Sequence, residues 1–243
     1  MECSSKLGEA PLSLSSLLLR SLLFVGGVLM IIQVWPIAES AWLTQKVDPI
    51  LTDLAMGRPL DVWRVRDGAK ALDRAVAARP VAGRRFARAE FLSGTATQLG
   101  GEISDKERMD WLIKARTDVE AGLADAPARG LDWLRLAFLR LIIDGASRDV
   151  LPPLFMSIET APLVPTIWQA RLRYILDVWA YLDDGQKDRV RAYIVRTWRA
   201  GGDRRYFVLV IYSPVDEGIV RYFLRGEPGA QEELTRLIQL VKR

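Results

Sequence analysis

SLLFVGGVLMIIQVWPIA, residues Ser21 to Ala38, runs for eighteen positions without a charge, and the reading of the chain turns on it. At about 1.5 Å of rise per residue the run makes about 27 Å of helix, close to the ~30 Å of a bilayer's hydrocarbon core. Leu17 to Leu19 extend it if Arg20 snorkels to the headgroups. One membrane crossing is the natural reading. Trp35 and Trp42 then sit near the headgroups at the far end, and Gly26, Gly27 and Pro36 are tolerable inside a membrane helix. A cleavable secretion signal competes, because Ala38-Glu39-Ser40 offers small residues at a cleavage spacing. Against it, the apolar core is longer than the usual ~7 to 15 residues. A buried helix of a soluble core is the weakest option, since globular domains seldom contain so long an uncharged run.

Working outward, residues 1–16 form an N-terminal tail, 17–43 the transmembrane helix, 44–60 a linker and 61–243 the extramembrane domain. Basic residues flank the span evenly, Lys6 and Arg20 before it, Lys46 and Arg58 after it. The charge rule is therefore silent, and size decides: a short tail stays inside while a large domain crosses largely regardless of charge. Half of the residues are apolar and 26% charged, with a net charge of +4, a balance that suits a folded domain with a real core. The single cysteine, Cys3, lies in the tail, so no disulfide framework is available. There is no histidine, which removes the commonest general base and metal ligand.

The segment from Thr44 to Leu60 is broken by Pro49, Gly57 and Pro59 and reads as a short helix and turn leaving the membrane. Beyond it the apolar spacing is helical throughout. Helices are expected from Asp61 to Arg79, Arg84 to Leu99, Ser104 to Ala124, and Leu131 to Ile143. The last of these, LDWLRLAFLRLII, is apolar nearly all round and should be the most buried. Asp149 precedes a helix entered through Pro152 and Pro153. Pro165 to Leu182 carries Trp168, Leu172, Ile175, Trp179 and Leu182 in one stripe, and Gln186 to Ala200 turns Val190, Tyr193, Ile194 and Trp198 inward. Tyr206 to Tyr212 (YFVLVIY) is β-prone, but a lone strand has no partner, so it reads as a buried helix. Two further helices run near Asp216 to Leu224 and Ala230 to Val241, with Glu232 and Glu233 early and Lys242 and Arg243 late in the latter, matching the helix dipole.

One pattern recurs. A helix ends at a proline preceded by a small residue within two positions, and six residues later an aromatic opens the next: Ala78-Arg79-Pro80 to Phe86, Asp125-Ala126-Pro127 to Trp133, Thr160-Ala161-Pro162 to Trp168. Proline disfavours helix in the residue before it and forces a turn at each site. Pro127 and Pro162 are 35 residues apart, close to the ~34 of a tetratricopeptide repeat, and Trp133, Leu136 and Ala137 sit where that repeat places its Trp, Leu and small residue.

On these residues, the stretch from Gly83 to Ala200 resembles a degenerate tetratricopeptide-like array. The interval from Pro80 to Pro127 is 47 residues and Trp168 is followed by Arg171 rather than Leu, departures that leave a plain helical-hairpin solenoid open. The resemblance implies an all-α fold: one N-terminal transmembrane helix, then a tetratricopeptide-like helical-hairpin solenoid. Its plan is similar to that of accessory proteins in bacterial cell-envelope and polysaccharide export systems.

Catalytic motifs are absent from the sequence: no phosphate-binding loop, no nucleophile elbow and no cluster of Cys or His. Asp183, Asp184, Glu232 and Glu233 read as cap or dipole residues among surface arginines. No catalytic residue, cofactor or metal site is expected. Trp133, Trp168, Trp179 and Trp198 lie on apolar faces and read as core rather than as sugar-stacking platforms. Two segments are strongly basic: Arg58 to Arg88, with nine basic residues against three aspartates, and Lys187 to Arg205, with seven against two. Solvated helix faces account for such runs; the functional alternative is an anionic partner, for which Lys187, Arg191, Arg196, Arg199 and Arg204 form the candidate face. The expected function is a non-catalytic, membrane-anchored scaffold of the bacterial inner membrane with its domain in the periplasm. It would bind a protein partner in the same membrane, in polysaccharide synthesis or export, while the basic faces take anionic lipid or an acidic polymer. Nucleic acid is not an expected partner. The alternative is an enzyme or regulatory subunit acting on envelope polymers through unidentified carboxylates, which raised carboxylate pKa values in one groove would favour.

Overall fold

The computed structural model describes residues 14–241; Cys3 and Lys6 in the tail, and Lys242 and Arg243, lie outside them. Every regular element among the described residues is helical, as the spacing predicts. The α-helices are α1 (Leu14–Gln45), α2 (Asp48–Ala55), α3 (Val62–Ala78), α4 (Ala82–Gln98), α5 (Asp105–Asp125), α6 (Gly130–Asp144), α7 (Leu151–Thr160), α8 (Trp168–Asp177), α9 (Asp184–Ala200), α10 (Tyr206–Leu209), α11 (Pro214–Phe223) and α12 (Ala230–Val241).

By length and composition α1 can cross a membrane. Leu22, Phe24 and Met30 in its apolar run are each more than two-thirds exposed. At 32 residues α1 is about 48 Å long, more than a bilayer needs, and its last turns join the domain. Ser40 and Leu43 are buried, as are Val47, Ile50 and Leu60 beyond them. The stretch 44–60 forms the expected short helix, α2, and a turn, and Val47, Ile50 and Leu60 fasten it to the core. Because α1 and α3 are antiparallel, contacts advance along one as they retreat along the other: Val47 packs on Gly68, and seven residues earlier Ser40 Oγ donates to the carbonyl of Ala75 at 3.0 Å.

The three proline turns share one backbone conformation. Arg79, Ala126 and Ala161, each just before a proline, have φ/ψ of −149°/92°, −141°/72° and −147°/62°. The amide of each still donates to the carbonyl four residues back, at 3.1, 2.9 and 3.2 Å. Each helix thus closes its last hydrogen bond and then leaves the α region, as proline's steric demand requires. At the other ends Asp61 caps α3, Ser104 caps α5 and Asp183 caps α9 in a capping box with Gln186. From α3 to α9 each helix packs on the next, and α6 also touches both α4 and α8, so α4, α6 and α8 lie side by side with α5 and α7 behind them. Beyond α9 the contacts skip, α10 packing on α8 and α12, and α11 on α9.

Two cores result, meeting at α6. Leu136 and Leu139 face the first, built from Val47 to α6; Leu134 and Ala137 face the second, built from α6 to α12. A helix with a core on each side needs apolar residues nearly all round, which is what Leu131 to Ile143 shows. It is not the most buried helix, however, because Leu131 and Ile142 near its ends are exposed. Two further expectations are corrected. The stripe from Trp168 to Leu182 is not one helix: α8 stops at Asp177 and a 3-10 turn, Trp179–Tyr181, follows. The run Tyr206 to Tyr212 is helical only over α10, with Phe207, Val208 and Val210 buried and Tyr212 exposed.

Candidate functional site

Alternation of α4, α6 and α8 leaves a groove of about 570 Å³ along that face. Its walls are largely apolar: Leu131, Leu134 and Phe138 from α6, Ala170 and Tyr174 from α8, and Leu54 from α2 at one end. Gly94 on α4 admits Leu54, whose Cδ2 lies 2.5 Å from where a Cβ would stand. Phe138 and Tyr174 stack across α6 and α8 with ring centroids 6.1 Å apart. Burial pushes the Tyr174 phenol up to about 12, with the negative charge of Asp177 adding to it.

The polar groups of the groove are fixed by the same helices. Arg135 reaches Glu90 across α4 and α6 at 3.3 Å and pairs with Asp132 one turn back. Asp132 also accepts from Arg129 Nε at 2.7 Å and is buried. Ser93, Thr97 and Gln98 of α4 line the opposite wall. Such a lining offers a ligand broad apolar contact with a few oriented polar groups. Among the described residues no group of three or more His, Cys, Asp or Glu side chains could hold a metal ion. Glu107, Asp203 and Glu227 are held below the usual carboxylate range by hydrogen bonds from Arg66, Arg205 and Arg199. Burial works against ionisation of Asp216, but Arg173 and the Tyr212 amide outweigh it and lower its pKa too.

The basic face around α9 is spread over several surroundings. Lys187 pairs with Asp184 at 3.2 Å, Arg199 forms a two-pronged pair with Glu227 at 2.7 Å, and Arg204 pairs with Glu233 at 2.5 Å while covering the Trp198 ring. Arg191 donates to the carbonyl of Arg225. Arg196 is exposed beside a smaller cleft lined by Phe155 and Ile158. Much of the charge on this face is thus already met within the chain.

Reading charged residues as surface groups missed four buried ones, Asp118, Asp132, Arg171 and Asp216. Asp118 is 1% exposed and takes a two-pronged pair from Arg88 at 2.6 and 2.7 Å. Arg88 continues to Asp73, which also holds Lys114, so one network ties α3, α4 and α5. Arg171, the residue that departs from the repeat pattern, is fully buried. Its guanidinium donates to the carbonyls of Ser157 and Ala161, to the Ser157 hydroxyl and to the Tyr193 hydroxyl. The Ala161 carbonyl lies just past the end of α7, where the helix dipole is negative, while the Ser157 carbonyl also accepts from the Ala161 amide. The tryptophans divide: Trp168 and Trp198 are core, whereas Trp133 and Trp179 are half-buried, Trp133 turned to donate its indole N–H to the carbonyl of Pro127 at 2.7 Å.

No protein family, curated protein or solved structure matches the chain.

Proposed function

We propose that the protein is a non-catalytic scaffold, anchored by α1, that binds a segment of a protein partner in the groove of α4, α6 and α8. The observation that carries this reading is the groove itself: apolar walls from three neighbouring helices, with Glu90 and Arg135 fixed at its rim. An amphipathic helix laid along such a groove buries its apolar stripe between Leu131, Phe138 and Tyr174 and keeps its polar face in water. Tetratricopeptide-like helical-hairpin stacking, which the recurring proline turns support, presents this kind of surface. The setting we assign is the bacterial inner membrane, with the domain in the periplasm, the partner in the same membrane, and a role in polysaccharide synthesis or export. The flanking charge is even and gives no direction, so the size of the domain is what supports that orientation.

Site-specific photo-crosslinking in intact cells tests it. A crosslinker at Thr97 should trap one discrete membrane protein, and a Leu131→Glu change, at a more exposed position of the wall, should abolish the adduct while leaving the melting temperature nearly unchanged. Equal adducts from Glu102, at the far turn between α4 and α5, would sink the groove as the binding site. Protease added to spheroplasts should degrade the domain if it lies outside.

A further inference from the structure

The edge of the domain that carries the three proline turns lies beside the point where α1 leaves its apolar run. Ser40 sits level with Ala75 and the two helices are antiparallel. Four residues further toward the run, about 6 Å along the axis, the half-buried Pro36 is level with Arg79, where α3 ends. Trp35, next to Pro36, is 65% exposed, as a tryptophan at the headgroup level would be. From that level α4 starts outward, and α5 returns to it: Phe86 in the first turns of α4 packs on Gly122 in the last turn of α5, and Arg129 covers the same ring at 5.0 Å. The third turn adjoins the second, because Gly130, which opens α6, packs against Thr160 and Ala161, which end α7, and accepts from Ser157 Oγ at 2.6 Å.

This edge is basic and apolar at once. Arg74 and Arg79 are exposed and Arg84 is half-exposed, and none of the three forms an ion pair among the described residues, unlike their neighbours Arg85 and Arg88. Val81 in the first turn and Leu163 and Val164 in the third present apolar side chains to solvent. Glu39, Asp125 and Glu159 are exposed acidic residues nearby, and Glu159 is paired with Arg189. Unpaired arginines with exposed aliphatic side chains, held at the height where a membrane helix emerges, match the chemistry of an anionic headgroup layer over acyl chains.

We propose that this edge docks on the bilayer surface, with Arg74, Arg79 and Arg84 holding the phosphates of anionic phospholipid and Val81 and Leu163 dipping below the headgroups. It rests on α1 spanning the membrane as the proposed function has it. Docking sets the domain against the bilayer at a fixed height, with the helices standing off the surface and the groove of α4, α6 and α8 open to a partner in the same membrane.

The full-length protein in vesicles tests this, with Cys3→Ser as the background. A fluorophore is placed at Leu29→Cys, Val81→Cys, Leu163→Cys or Glu102→Cys, and quenching by spin-labelled lipid is read in phosphatidylcholine with and without phosphatidylglycerol. Leu29 should be quenched in both lipids, and Val81 and Leu163 should exceed Glu102 when phosphatidylglycerol is present. Combining Arg74→Gln, Arg79→Gln and Arg84→Gln should remove that excess without changing the melting temperature. Quenching at Leu29 with Val81 no different from Glu102 overturns the docked edge and leaves the span standing. Absence of quenching at Leu29 overturns the span, and the edge with it. An excess at Val81 that persists in pure phosphatidylcholine and in the triple variant overturns recognition of anionic lipid.

Discussion

The two cores on either side of α6 are built by opposite means. The first is made of long helices that approach closely, and glycine permits it: a Cβ on Gly68 would stand 2.8 Å from the Phe91 ring, and one on Gly122 would stand 2.6 Å from Phe86. Charges then cross from helix to helix, Asp73 to Arg88 to Asp118. The second is made mostly of shorter helices, and aromatic bulk fills the space. Trp198 packs on Phe207 with centroids 5.0 Å apart, Trp179 on Phe223 at 5.3 Å, and Trp168 on Tyr206 at 5.8 Å. Of its buried charges, Arg171 is met by neutral oxygens and Asp216 pairs with Arg173 at 3.3 Å. Small residues allow regular helices to nest, whereas large rings tolerate helices that break early, as α8 and α10 do.

Substitutions on either side of α6 test this contrast. Phe223→Ala, which removes a fully buried ring from the second core, should cost about 3–5 kcal/mol in chemical denaturation. A loss under 1 kcal/mol, well below that range, would mean the aromatic cluster does not hold this half together. Asp118→Asn should cost about 2–3 kcal/mol, because it strips the charged acceptor from Arg88; an unchanged midpoint would show that Asp73 suffices. Gly122→Ala should destabilise the first core by about 1–2 kcal/mol, since the clash with Phe86 outweighs the gain in helix propensity. Pairing it with Phe86→Leu should restore stability if the close approach is the cause.

Smaller effects separate the halves by pH and salt. Asp216 has its folded-state pKa lowered from 3.8 by Arg173 and by backbone amides at the start of α11. Stability from this carboxylate is complete above about pH 5 and is lost as pH falls through the lower folded-state value. Asp216→Asn should therefore flatten the acid limb of a stability-against-pH curve, and a curve parallel to wild type would remove Asp216 from the account. The smallest effect belongs to Arg199→Gln, which breaks an exposed pair with Glu227; the melting temperature should not move, with or without added salt.

Periodicity made much of this legible. Asp61, Ser104 and Asp183 cap the helices their sequence positions indicate, α12 runs from Ala230 to Val241 as its spacing requires, and each recurring proline ends a helix. The groove was not legible, because its walls come from α4, α6 and α8, far apart in sequence, and its apolar residues carry no signal that distinguishes a wall from a core. Trp133 illustrates the same limit: its spacing assigns it to the apolar side of α6, while the turn before it decides that the indole lies at the edge with its N–H on Pro127.

The sequence alone determined that the chain is helical, that one segment is long and apolar enough to cross a bilayer, and where most helices begin and end. These follow from local quantities: residue period, capping groups, and proline's exclusion from the helix interior. Only the tertiary structure decided that residues 44–60 belong to the core, that α6 serves two cores, and that Asp118, Asp132 and Arg171 are buried with partners. Burial and pairing depend on which distant helix comes alongside, and an arginine in an apolar stripe looks the same in sequence whether it faces water or the carbonyl end of a neighbouring helix.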